Sequence, residues 1–393
     1  MIGPSGAAAP PPQQVGRDSA PQVRLAFSEE QEELRRSVRR FLEDRSPMAE
    51  VRRLMETEEG WDRAVWRAMA EQVGLQGIHV PEAFGGAGLG QVELGIVLEE
   101  LGRGLACVPY FSTVALAINT LLASGDERAQ RDLLPRLASG EATGTLAVLE
   151  PSGSWDLEAL SARARREGDG WVVDGTKAFV VDGHTADVLL VAARTPEGLG
   201  IFAVEGGAAG VERVPVPQLD QTRKLARVEL SGAPAVPVGD EGGAGTWLPR
   251  ALDLAATALA MEQVGGAQRC LDMTVEYAKV RHQFGRPIGS FQAVKHRCAD
   301  MLLRVESARA AAYYAAWAAA EEAEELPAVA SLARAYCSEA YSWVAGETIQ
   351  VHGGIGFTWE HDAHLYFKRA KASELLLGDP AHHRELMLRR IGI

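Results

Sequence analysis

Between Glu276 and Asp300 the chain reads EYAKVRHQFGRPIGSFQAVKHRCAD, which gathers Arg281, Gln283, Phe284, Gly285, Phe291 and Gln292 around a Gly-Arg-Pro turn. An arginine at a helix end can make two charge-assisted bonds to phosphate oxygens. A phenylalanine and an amide beside it suit a flat heteroaromatic ring. The same residues also suit a plain helix–turn–helix corner with a solvated arginine. Farther on, Gln350–Gly356 reads QVHGGIG. Gly353 and Gly354 there lack a Cβ, so their backbone N–H groups can approach a ligand closely.

The elements that must carry these residues follow from periodicity. A helical pattern from Leu248 to Val280 feeds the first stretch. Phe291–Ala323, Ala328–Val351 and His361–Leu377 continue it, enough for an antiparallel four-helix bundle over 241–393. The N-terminal part, 25–143, is also helical: Ser28 with Gln31 forms a capping box that opens a helix to about Arg45. Trp61–Val73, Val92–Arg103, Thr113–Ser124 and Glu127–Ser139 follow. From 144 to 240 the period changes to short β-rich runs: Thr145–Leu149, Trp171–Val173, Ala178–Val181, Val188–Ala192, Ile201–Val204 and Val228–Leu230. Turn residues separate them at the spacing of a small barrel or sandwich. The fold class is therefore α+β, with a small β module between two helical domains. Residues 1–24, rich in Pro, Ala, Gly and Gln, read as a flexible, disordered tail.

The totals narrow the function. With 393 residues and 47% apolar content the chain can bury a large core, and a net charge of -13 argues against a nucleic-acid partner. The four cysteines are scattered, no run is long enough to span a membrane, and no apolar signal core opens the chain, so a cytoplasmic location is expected. His361 and His364 stand at i, i+3 with no partner at a fixed spacing, so no metal site is expected.

The pair RHQFGRPIGSFQ and QVHGGIG, set one helical hairpin apart, resembles the acyl-CoA dehydrogenase family of flavoproteins. The resemblance extends from about Leu25 to the C-terminus. HDAHLYFKRA, at His361–Ala370, is similar to a branch of actinobacterial subunits that act on steroid and other bulky acyl-CoAs. The resemblance implies FAD, held by Arg281, Phe284 and Gln292 in the first segment. It also implies that Gln350, Gly353 and Gly354 reach the FAD of a neighbouring subunit. Phe179 and Val181 stand where the family often has a tryptophan and a threonine against the flavin. LEPSGSWD, Leu149–Asp156, is an altered form of another flavin-side segment. Partners implied are an acyl-CoA or acyl carrier protein thioester, an electron-transfer flavoprotein, and subunits forming a homotetramer or a heterotetramer with a homologue.

Such an enzyme needs a carboxylate to remove the thioester α-proton, and donors to hold the enolate oxygen. At the two places where the family carries its glutamate, this chain has Leu377 and Ala255. Glu262 is the substitute that the sequence offers. It falls on a stripe of Leu248, Leu252, Ala255, Leu259, Gly266 and Met273, where an acid is expected to be desolvated and so become a better base. Gly265 and Gly266 are expected to leave room for a ligand. Glu374 and Asp253 are weaker candidates. Leu377 can still serve through its backbone N–H. Two readings result: an active dehydrogenase with a relocated base, or a non-catalytic partner subunit of a heteromeric enzyme. An oxygen-using member is a third.

Overall fold

A computed structural model describes residues 27–393; the expected tail lies outside the described residues. The N-terminal helices are α1 (Glu29–Arg45), α2 (Met48–Met55), α3 (Arg63–Val73), α4 (Gln91–Gly104), α5 (Asn119–Ser124) and α6 (Glu127–Ala138). A π-helical segment, Phe111–Ile118, leads into α5. The capping box at the start of α1 is present in both directions: Gln31 N–H donates to the Ser28 hydroxyl, and Ser28 N–H to the Gln31 side chain. The sequence pattern missed α2, which has only eight residues and follows Pro47.

Seven strands form the middle module: β1 (Gly144–Ala147), β2 (Arg163–Glu167), β3 (Gly170–Val181), β4 (Val188–Thr195), β5 (Gly198–Glu205), β6 (Val211–Pro215) and β7 (Leu225–Val238). β4, β5, β7, β3 and β2 pair in turn, and β2 returns to β4, so the sheet closes on itself. The two runs read separately at Trp171–Val173 and Ala178–Val181 are one strand, β3. The pattern missed β2 and β6, which read RARRE and VERVP; their charged, mostly solvated faces give no apolar alternation.

The C-terminal helices are α7 (Ala244–Val280), α8 (Gln292–Ala320), α9 (Leu326–His352), α10 (Ala363–Leu375) and α11 (Pro380–Arg390). The last of these follows Asp379, which caps it, and Pro380 at its first position. A two-stranded hairpin, His282–Gln283 with Arg286–Pro287, joins α7 to α8. One large apolar core runs from the N-terminal helices through the barrel's inner edge into α7, α8 and α9. It welds the three parts together around α7.

Candidate active site

Helix α7 crosses α4 at very short range. A Cβ on Gly265 would overlap the Glu99 carbonyl, and one on Gly102 would overlap the Glu262 carbonyl. A Cβ on Gly266 would strike the Tyr341 ring. These glycines therefore let helices touch; they do not leave room for a ligand, as the sequence reading had it.

Glu262 lies just before that crossing and is buried. Its setting is not the apolar stripe expected from the helical wheel. Arg369, on α10, donates through Nη1 to Glu262 at 3.0 Å, through Nε to Asp220 at 2.6 Å, and through Nη2 to the Thr222 hydroxyl at 2.6 Å. Arg223 donates to the other oxygen of Glu262. Two guanidinium groups and two carboxylates thus close a buried cluster. Burial alone would depress Arg369, but Asp220 and Glu262 outweigh it and hold its pKa above the usual arginine range. Both oxygens of Glu262 are engaged, so neither stands ready for a ligand's proton. A periodicity argument sees one helix face; it cannot see arginines arriving from the β6–β7 connection and from α10.

Beside the cluster, between the barrel and the bundle, opens a cleft of about 760 Å³. Phe179, Val181, Leu149, Trp155, Leu225, Leu252 and Leu375–Gly378 line it. Phe179 faces it because β3 advances one residue more than β7 between Lys177 and Val180, a bulge at which Phe179 takes φ +53°. The ring remains half exposed. Val181 is buried, and its carbonyl accepts from the Thr145 hydroxyl at 2.7 Å. Glu150 of the LEPSGSWD segment is a structural acid. Burial would raise it, but Lys177, Ser161 and the Ala162 N–H together bring its pKa down to about 2.

The opposite wall is the Leu376–Asp379 turn. Leu377 sits at φ +61°, with its side chain buried. Arg334, wholly buried and without a carboxylate partner among the described residues, points Nη2 at the carbonyls of Ser373 and Leu376, with those of Glu374 (3.3 Å) and Gly378 (3.2 Å) beside them. Burial pushes its pKa down to about 10. His383 Nε2 lies 2.9 Å from the Leu377 carbonyl. The backbone at Leu377 is therefore fixed from both sides, which suits a positioned N–H donor.

The other acids are accounted for. Glu374 accepts from Ser342 and Lys371, each at 2.7 Å, outside the cleft. Asp253 pairs with Arg390 at 2.8 Å; burial, against that arginine, pushes its pKa up to about 7. Ala255 is core. Asp379 lines the cleft, and its carboxylate accepts the His382 N–H at 2.7 Å. Sequence reasoning overlooked Asp379, Asp220, Arg223 and Arg369. The only signal for them was charge in segments that otherwise read as loop or solvated helix. Among the described residues no three His, Cys, Asp or Glu side chains are placed to hold a metal.

The phosphate- and ring-binding candidates stand elsewhere. Arg281 ends α7, and Gln283, Phe284 and Gln292 follow it on the surface, with Phe284 92% exposed at φ +52°. Gln350, Gly353 and Gly354 are exposed at the end of α9, and a Cβ on either glycine would meet open space. Tyr277 and His352 stack at 4.3 Å, which puts both segments at the same end of the bundle. That rim lies roughly 43 Å from Leu252 along α7, at ~1.5 Å per residue. The rim and the cleft are therefore separate places on the chain.

Comparison with known proteins gives the family. The chain matches three family descriptions in order: the N-terminal domain of acyl-CoA dehydrogenase over residues 28–141, the middle domain over 145–230 and the C-terminal domain over 243–392. It is 40% identical over 355 residues to acyl-CoA dehydrogenase IpdE2 of Mycolicibacterium smegmatis, covering 90% of this chain and 96% of that protein. The chain belongs to the acyl-CoA dehydrogenase family. Its members are FAD-dependent flavoprotein oxidoreductases of lipid metabolism. Among solved structures, the Tcur3481–Tcur3483 steroid acyl-CoA dehydrogenase G363A variant is similar at TM-score 0.84 and 35% identity, over 92% of this chain and 98% of that one. The ChsE4–ChsE5 complex of Mycobacterium tuberculosis is similar at TM-score 0.84 and 32% identity, over 93% and 97%. The residues present fit FAD: an exposed arginine, aromatic ring and glycines on the rim suit phosphates and adenine, and the largely apolar cleft with Phe179 on its wall suits the isoalloxazine. Among the described residues no helix is long and apolar enough to cross a membrane.

Proposed function

We propose that this chain is one component of a two-component, FAD-dependent acyl-CoA dehydrogenase, with the thioester α-proton taken by a carboxylate of a homologous companion subunit. One observation carries this reading. The acids in or beside the cleft all have partners: Glu262 two arginines, Asp220 Arg369 and Thr222, Asp182 the Ser112 hydroxyl, and Asp379 the start of α11. The two family positions for a base hold Leu377 and Ala255. Two of the similar solved structures carry paired names, which supports a paired assembly here.

In this reading each residue set has a task. FAD, when bound, supplies the electron acceptor for the carbon–carbon desaturation. Arg281, Phe284, Gln292, Gln350, Gly353 and Gly354 grip the phosphate and adenine end of an FAD whose ring rests in another chain's cleft. Phe179 and Val181 wall the cleft, which the ring of a second FAD fits. Leu377 offers its N–H to an oxygen there, with Arg334 and His383 holding the turn. The substrate is a bulky acyl-CoA, in keeping with the steroid enzyme among the similar structures. The electrons pass to an electron-transfer flavoprotein in the cytoplasm.

The test is co-purification. The chain and a homologous companion, expressed together, are expected to yield a yellow assembly that acyl-CoA bleaches. Glu→Gln at the companion's base lowers bleaching by about a hundredfold or more, as loss of a general base should, and Glu262→Gln here leaves it unchanged. Full bleaching by this chain alone, abolished by Glu262→Gln, would return the base to Glu262 and overturn the proposal.

A further inference from the structure

Arg334 carries a charge that its surroundings do not match. It stands on α9, wholly buried, with no carboxylate partner among the described residues. Nη2 faces the carbonyls of Leu376 and Gly378, and both of those residues line the cleft. Nε and Nη1 are buried with no acceptor among the described residues. Burial brings its pKa down only to about 10, so the guanidinium stays protonated at neutral pH. A buried cation with unused donors is costly, and a neutral amide could cap the same carbonyls. Holding the turn therefore accounts for a donor at this place but not for a charge.

The groups around it leave that charge standing. Burial pushes the Cys337 thiol, one turn on along α9, up to about 12, so it is neutral. His382 and His383, from α11, are both brought below the ordinary histidine value by burial and are neutral at pH 7. Glu374 is met by Lys371, and Arg223 and Arg369 by Glu262 and Asp220. Asp379 is exposed, where water and salt screen it. Leu377 places no carboxylate against the cleft. We propose that Arg334 is a positioning residue for an anionic ligand: acting through the turn that carries the Leu377 N–H, its charge makes this cleft bind the enolate of an acyl-CoA in preference to the neutral thioester. A charge in a dry interior is felt across several ångströms, so direct contact is not required. On ionisation the α-proton passes to bulk water and no electron moves. The inference rests on acyl-CoA as the ligand class given above, but not on which subunit holds the base.

A 3-oxoacyl-CoA tests this, because its α-carbon is acidic enough to ionise in water and its enolate has its own ultraviolet band. The bound probe is titrated with pH on the full chain, with its companion where one co-purifies. Its midpoint is expected about one pH unit below that of the free probe, a tenfold preference for the enolate. Arg334→Gln keeps a donor for the turn and removes the charge, so the midpoint should return to the free value. Arg334→Lys keeps the charge and should keep most of the lowering. A merely structural role would change unfolding or affinity in these variants and leave the midpoint alone. The companion's own cleft contributes the same curve throughout, so the difference belongs to this chain. Should Arg334→Gln fail to fold, salt decides on the wild type: a buried charge keeps the midpoint low at high ionic strength. A bound midpoint equal to the free one would overturn the proposal alone. So would a lowering that persists in Arg334→Gln, or one that collapses with salt. A probe that does not bind at all would overturn the acyl-CoA reading of this cleft and the proposal with it.

Discussion

Helix α7 passes through two opposite environments, one at its middle and one at its C-terminus. Near Glu262 every charged group is buried and matched, and even the glycines are filled by neighbouring backbone and ring. Near Arg281 the groups are exposed: Phe284 projects into solvent, and Arg281 makes no ion pair among the described residues. The middle stretch matches its charges within one chain, with only Arg223 Nη1 of that cluster lacking an acceptor among the described residues. In the function proposed above, the second becomes complete only with a cofactor and another subunit. Chemistry-bearing residues therefore do not mark a site by type alone; what separates structure from recognition is whether their bonding capacity is already used.

That contrast can be broken at the closed stretch first. Arg369→Met strips Glu262 and Asp220 of a shared partner in a dry interior. It should cost about 3–5 kcal/mol of folding stability, read from denaturant unfolding. A loss below about 1 kcal/mol would show that the cluster is not what holds that stretch together.

An effect smaller per unit of pH is expected with acid. His79, bonded to Asn119 at 2.9 Å, is brought down by burial to about 4, and His383, by burial and then Arg334, to about 3. In the unfolded chain both titrate near the ordinary value of about 6.5. Between these limits the unfolded state binds more protons, so stability is complete above about pH 6.5 and falls as pH drops toward 4. The slope is at most about 1.4 kcal/mol per pH unit for each histidine. Replacing His79 by Gln should flatten that slope; an unaltered slope would remove His79 from the account.

The rim should respond least in stability and most in cofactor. Arg281→Ala with Phe284→Ala removes exposed groups, so unfolding should shift by no more than about 0.5 kcal/mol. FAD retention by the assembly should nevertheless fall about tenfold or more, measured by flavin fluorescence on dilution. Loss of stability comparable to that of Arg369→Met would erase the distinction between the two stretches.

Much of this protein was legible in its sequence. Helical period, the Ser28–Gln31 capping box and the shift to short β runs gave three parts in order, because those signals are local and need only a few neighbouring residues. The rim was legible too, as Arg281, Phe284, Gln292, Gln350, Gly353 and Gly354 stand in compact motifs at chain ends of helices. The short α2 and the charged strands β2 and β6 were not, since neither length nor apolar alternation marks them.

Only the tertiary structure decided what Glu262 is. Its residue type and helical phase are those of a desolvated base. Its partners come from 39 residues before it, Arg223, and 107 residues after it, Arg369. A carboxylate's electrostatic setting depends on which charges lie within a few ångströms, and chain crossings, not spacing along the helix, determine that.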